Sequence, residues 1–114
     1  MELKQLTHLV VDALEGVRGQ DIRVLDVSKL TTITDRMIIA SGASDRQVRA
    51  LAHSVISKAK EHGLQPAGVE GEREGEWILV DLRDVVVHVM LTRTRAFYQL
   101  EKLWDMPEAV AGSH

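Results

Sequence analysis

The chain has 114 residues, 45% hydrophobic and 27% charged, with a formal net charge of -3 and no cysteine. That length suits one globular domain able to bury roughly two thirds of its unfolded surface, and leaves no room for a second. The composition excludes disulfides, thiolate metal sites and cysteine nucleophiles, no window nears the ~20 apolar residues of a membrane span, and the acidic balance argues against tight binding through nucleic-acid phosphate.

The opening MELKQLTHLVVDALEG carries Leu3, Leu6, Val10, Ala13, Leu14 and Val17 at helical spacing, with Glu2, Lys4, Asp12 and Glu15 interleaved. It reads as an amphipathic helix closed by Gly16 and Gly19, not as a basic region followed by an apolar block, so the chain is expected to be soluble, cytoplasmic and not exported. Residues 21–27 alternate as a short strand, Ile22 and Val24 against Arg23, Leu25 and Val27, and Ser28 to Asp35 is a polar connection. Met37-Ile38-Ile39-Ala40 is too short for a helix and reads as a strand buried on both faces.

Ser44-Asp45-Arg46-Gln47 has the form of a capping box, in which the serine oxygen and the glutamine side chain satisfy each other's free backbone N–H groups. The helix it starts repeats Val48, Leu51, Ala52, Val55, Ile56 and Ala59, and His62-Gly63 supplies its C-terminal cap. Gln65 to Val69 is a further strand, held to a sheet edge by Pro66. Glu70 to Glu76 is an acidic loop. Trp77–Val80 and Val85–Leu91 then form an antiparallel hairpin at the centre of the sheet, and a helix over Thr94 to Trp104 sets Phe97, Leu100 and Trp104 on one face and Arg95, Tyr98 and Lys102 on another. Residues 106–114 read as a flexible tail after a domain spanning 1–105.

Chemistry-bearing motifs are sparse. Asp81 and Asp84 are spaced Asp-x-x-Asp across a turn, whereas two-metal phosphoryl transfer commonly draws carboxylates from Asp-x-Asp on one strand, where alternate residues share a face. Turn chemistry explains the pair better. The five histidines lie on separate elements without metal-ligand spacing, so no metal and no cofactor are expected. His88, inside an apolar strand, reads as a hydrogen-bonded histidine rather than a base. Ser41-Gly42-Ala43-Ser44 lacks the Gly-x-Ser-x-Gly elbow, and one glycine makes a poor phosphate cradle with Asp45 in the first turn of the helix. The basic run from Arg46 to Arg49 reads as a solvated helix face, with a weak patch for an acidic partner as the alternative.

Both tryptophans, the tyrosine and the phenylalanine fall within residues 77–104. Aromatics gathered in this way either build a core or present an anchor surface. Alternation puts Trp77, Leu79 and Asp81 opposite Ile78, Val80 and Leu82, and a face mixing Trp, Leu and Asp suits an interface, although a tryptophan capping the core would look the same.

The blocks Asp21-Ile22, Leu25-Asp26-Val27, Ile33-Thr34-Asp35, Ser41-Gly42, Arg46-Gln47-Val48 and Val69-Glu70-Gly71, with Glu76-Trp77, Asp84 to Val89, Phe97 to Glu101 and Leu103-Trp104, resemble in order the ribosomal silencing factors, the RsfS or Iojap family. Arg83 departs from the pattern, standing where the family usually has glycine. The resemblance implies an α/β (α+β) single domain, a mixed sheet flanked by helices, similar in topology to nucleotidyl transferases but without their catalytic carboxylates. It implies a non-enzymatic translational repressor that binds large-subunit ribosomal protein number fourteen on the large subunit and sterically blocks small-subunit joining when nutrients are scarce. Organellar relatives act in large-subunit assembly, and members are often homodimers. The docking region expected from the motif positions and strand alternation is Trp77, Leu79, Asp81, His88, Met90, Arg95, Tyr98 and Glu101, without direct sequence-specific contact to nucleic acid. The alternatives are a small nucleotidyl-transferase-like nucleotide-binding enzyme and a large-subunit assembly factor.

Overall fold

A computed structural model describes residues 1–102. Along them lie α1 (Leu3–Glu15), β1 (Gln20–Asp26), β2 (Arg36–Gly42), α2 (Asp45–Glu61), β3 (Gly68–Glu70), β4 (Trp77–Asp81), β5 (Val85–Leu91) and α3 (Thr92–Tyr98). The strands form one mixed sheet in the order β1-β2-β5-β4-β3, with β2 and β5 parallel and every other neighbouring pair antiparallel. This is the single α+β domain expected. β5 is the central strand, and the β4–β5 hairpin occupies the middle of the sheet as its apolar run required.

Helices α1 and α2 cover one face. Leu6, Leu9, Val10, Ala13 and Leu14 of α1 and Val48, Leu51, Ala52, Val55 and Ala59 of α2 pack on Ile38, Ala40, Ile78, Val80, Val87 and Val89. Each large side chain fully buried there contributes about 1.5–3 kcal/mol, so this layer is the main source of stability. Met37, Ile38, Ile39 and Ala40 are all buried, as a strand with two covered faces demands. The opposite face carries a smaller cluster of Leu25, Val27, Met37, Ile39 and Met90, against which Trp77 and Leu100 pack.

The cap of α2 differs in one bond from the expected box. Ser44 Oγ accepts from the Gln47 N–H (3.1 Å), but Gln47 Oε1 accepts from Ala43 N–H (2.7 Å), one residue earlier, while its amide donates to the Val17 and Arg18 carbonyls (3.3 and 3.1 Å). One side chain thereby caps α2 and ties down the end of α1. Gly19 lets the chain pass there: an added Cβ would stand 3.0 Å from the Leu14 carbonyl and 3.1 Å from Leu51. Arg49 is likewise not merely a solvated charge. It pairs with Asp45 (2.7 Å) and donates to the Glu72 and Arg73 carbonyls (2.9 and 2.6 Å), holding the acidic loop against α2.

Two boundaries correct the sequence reading. β3 starts at Gly68 and not Gln65, since Pro66 has no N–H to give a ladder, though the strand does lie at the sheet edge. The last helix starts at Thr92 and stops at Tyr98, where Gln99 turns left-handed (φ 49°) and its N–H bonds back to the Arg95 carbonyl (2.8 Å). Within this short helix Arg95 and not Phe97 faces inward, so Phe97 points to solvent instead of the core, while Leu100, past the reversal, packs on the sheet. The expected places of Trp104 and of the 106–114 tail lie outside the described residues.

Candidate functional site

The face left uncovered by α1 and α2 holds the sequence-derived candidates. Cross-strand pairing sets Trp77 beside Met90, Leu79 beside His88 and Asp81 beside Val86, so Trp77, Leu79, Asp81, His88 and Met90 share this side of the sheet, as alternation required. β5 runs straight into α3, which brings Tyr98 back over the start of β4. The Tyr98 and Trp77 ring centroids stand 5.1 Å apart, and Phe97 meets Tyr98 edge-on at 4.9 Å. Phe97 is 79% exposed and Tyr98 55% exposed. These three rings, with Glu76, Arg93 and Thr94, line an open cleft of about 520 Å³.

Exposure divides the candidates. Trp77, Leu79 and Asp81 are half-buried and Tyr98 is exposed, so these side chains reach the surface. Met90, His88 and Arg95 are enclosed and support the surface from beneath. Glu101 is drawn to Arg95, its Oε2 accepting from Arg95 Nε at 2.9 Å. Phe97 is the residue that sequence reasoning missed as part of this surface. Two adjacent aromatics closing a short helix were the available signal, since neighbouring helical residues cannot both face one core.

Trp77 is held by its polar end. Its indole N–H donates to His88 Nδ1 at 2.9 Å, which places the imidazole proton on Nε2. Burial lowers the His88 pKa from 6.5 to about 4, so the ring is neutral near pH 7 and remains an acceptor. The indole donor is thus satisfied inward, and the part of Trp77 that meets solvent is apolar. At the Trp77 backbone, Gly71 (φ 90°) packs so closely that a Cβ there would collide with the Trp77 carbonyl.

The groups considered for catalysis have structural duties. Asp81 Oδ1 accepts from the Arg83 N–H (2.7 Å), a bond that holds the hairpin turn, and Arg83 itself is left-handed (φ 73°), which is why glycine suits this position. The Asp84 carbonyl accepts from Asp35 and Arg36 N–H, both at 3.1 Å. Ser41 is 2% exposed and its hydroxyl accepts from Arg95 Nη1 at 3.0 Å. Among the described residues no group of three His, Asp or Glu side chains is placed to hold a metal ion, and no helix is long and apolar enough to cross a membrane.

The model of the family described as "Ribosomal silencing factor during starvation" matches residues 1–113. Ribosomal silencing factor RsfS of Chromobacterium violaceum is 53% identical over 104 residues, which cover 91% of this chain and 85% of that protein. A more distant relative, mitochondrial assembly of ribosomal large subunit protein 1 of Mus musculus, is 33% identical over 101 residues covering 86% of this chain and 44% of that protein. A crystal structure of a Chromobacterium violaceum protein, 53% identical, superposes with a TM-score of 0.90 over 91% of this chain and 87% of its own. With the family model spanning nearly the whole chain and this identity to a named member, the chain belongs to the ribosomal silencing factor family.

Proposed function

We propose that this protein represses translation by docking on the large ribosomal subunit, at ribosomal protein number fourteen, and sterically preventing the small subunit from joining when nutrients are limiting. The observation that carries the reading is the aromatic cluster: Phe97 and Tyr98 stand in solvent against a half-buried Trp77 whose own donor is already satisfied. Exposed aromatics of this kind gain most by entering a partner's interface, where they supply large area at small entropic cost. Their surroundings suit a basic partner, since Glu70, Glu72, Glu74 and Glu76 are exposed along the neighbouring loop and outnumber the exposed Arg73 and Arg93 there. Complementary charge raises the encounter rate, while the apolar anchors slow dissociation.

In this reading Trp77, Leu79, Asp81, Phe97 and Tyr98 meet the partner, and His88, Met90, Arg95 and Glu101 hold them in place. The protein acts by occupying a surface, as a regulator rather than an enzyme, in the cytoplasm. Titrating isolated large-subunit ribosomal protein number fourteen into the protein tests it: Tyr98→Ala should weaken binding about 30-fold. Unchanged affinity in a folded variant would refute the docking face. A role in assembling the large subunit is the second reading, favoured by the name of the mouse relative. It predicts immature large subunits in cells lacking the protein, which silencing by itself does not.

A further inference from the structure

α3 is seven residues long, and the one side chain it buries is that of Arg95, 5% exposed. So short a helix is marginal by itself and ordinarily relies on an apolar face packed on the core. Here Ala96, Phe97 and Tyr98 are exposed, and the anchor is polar. Arg95 Nη1 donates to the Asp21 carbonyl (2.6 Å) and to Ser41 Oγ (3.0 Å), Nε donates to Glu101 Oε2 (2.9 Å), and Nη2 lies 3.7 Å from Asp21 Oδ2. The Asp21 carbonyl is available because β1 is irregular at this point: Asp21 is left-handed (φ 50°) and the β1–β2 register shifts between Gln20 and Arg23. One guanidinium thus fastens α3 to β1, to β2 and to the chain beyond the Gln99 reversal. Phe97 and Tyr98 lie within the stretch closed by the Arg95–Glu101 pair.

We propose that Arg95 is a positioning residue for the docking face, setting Tyr98 against Trp77 and Phe97 beside it without itself touching the partner. The inference rests on the docking reading above. It follows from the fork geometry of the side chain, which donates along several fixed directions at once; a lysine ammonium on a flexible stem cannot span the same three acceptors. Truncating Arg95 would also take from Glu101, 14% exposed at its side chain, the guanidinium it bonds, leaving the charge of Arg23 acting on it through space, so the tie between α3 and the turn after it would be lost.

The test measures affinity for isolated large-subunit ribosomal protein number fourteen and, without partner, the emission of Trp77 in a Trp104→Phe background. Arg95→Met should weaken binding tenfold or more, by about the loss of an anchor, and should shift Trp77 emission as Tyr98 leaves it, while far-UV circular dichroism stays native. Arg95→Lys should recover only part of both. Because the effect passes through the aromatics, Arg95→Met should cost less than about threefold in a Phe97→Ala/Tyr98→Ala background. Wild-type affinity and emission in Arg95→Met, or an equal loss with and without the two aromatics, would overturn the inference. If the Phe97→Ala/Tyr98→Ala protein itself binds normally, the docking reading fails instead, and the emission measurement still decides whether Arg95 sets the Tyr98–Trp77 contact. Should Arg95→Met not fold, Glu101→Gln and Ser41→Ala, which retain side-chain shape or remove one acceptor, carry the same comparison.

Discussion

Lowering the pH from about 7 to about 5 should cost this protein about 2 kcal/mol of stability through His88. Burial holds the folded imidazole at about 4, against 6.5 for the ordinary side chain. A folded pKa below the unfolded one means that the unfolded chain takes up the proton first. The contribution is therefore complete above the unfolded pKa and is lost as the pH falls from about 6.5 towards 4, at about 1.4 kcal/mol per pH unit. Protonation of Nδ1 would also remove the acceptor that the Trp77 N–H uses. Against a total stability of about 5–15 kcal/mol the loss is large, and in urea it should lower the unfolding midpoint by about 1 M. Urea melts followed by circular dichroism at about pH 7, 6 and 5 would measure it in wild type and in His88→Gln, which retains an amide acceptor for the indole and does not titrate. The other histidines are common to both proteins, so the difference between the two pH slopes isolates His88. Equal slopes would mean that burial does not hold His88 neutral in the folded protein. Stopping near pH 5 keeps the experiment above the carboxylates that the fold holds low, such as Asp26, bonded to Ser28, and Asp45, bonded to Arg49.

Two substitutions probe the backbone around the site. Gly71→Ala drives a methyl into the Trp77 carbonyl at a positive φ, and should destabilise by about 1–3 kcal/mol and displace the start of β4, read as a lower melting temperature with altered Trp77 emission. Arg83→Gly should act the opposite way. It relieves a left-handed residue costing about 1–2 kcal/mol, offset by about 0.5–1 kcal/mol of added unfolded-state entropy, so the melting temperature should rise by a few degrees without change in partner affinity.

The elements decided by local pattern were legible in the sequence. The uninterrupted run from Met37 to Ala40 could be satisfied only by a strand covered on both sides, Ser44 and Gly63 mark the start and end of α2, and period-two alternation placed Trp77, Leu79 and Asp81 together. What escaped was set by contacts distant in the chain. The pattern from Thr94 to Trp104 is helical by spacing, yet Arg95 reaches Asp21 and Ser41, 74 and 54 residues earlier, and the chain reverses at Gln99 to bring Glu101 to it. No periodicity reports such a bond. These bonds turn Arg95 from an apparent surface charge into an internal anchor and leave Phe97 on the outer side of the helix, and Arg49 gained its loop-holding role in the same long-range way.

The most direct measurement mixes separated large and small ribosomal subunits under associating conditions, with and without this protein, and resolves the products by sedimentation. If the aromatic face docks on the large subunit, the wild-type chain travels with that subunit and keeps the subunits apart, and Trp77→Ala, though folded, does neither. Full reassociation in the presence of the wild-type protein, or undiminished blocking by Trp77→Ala, would contradict that docking.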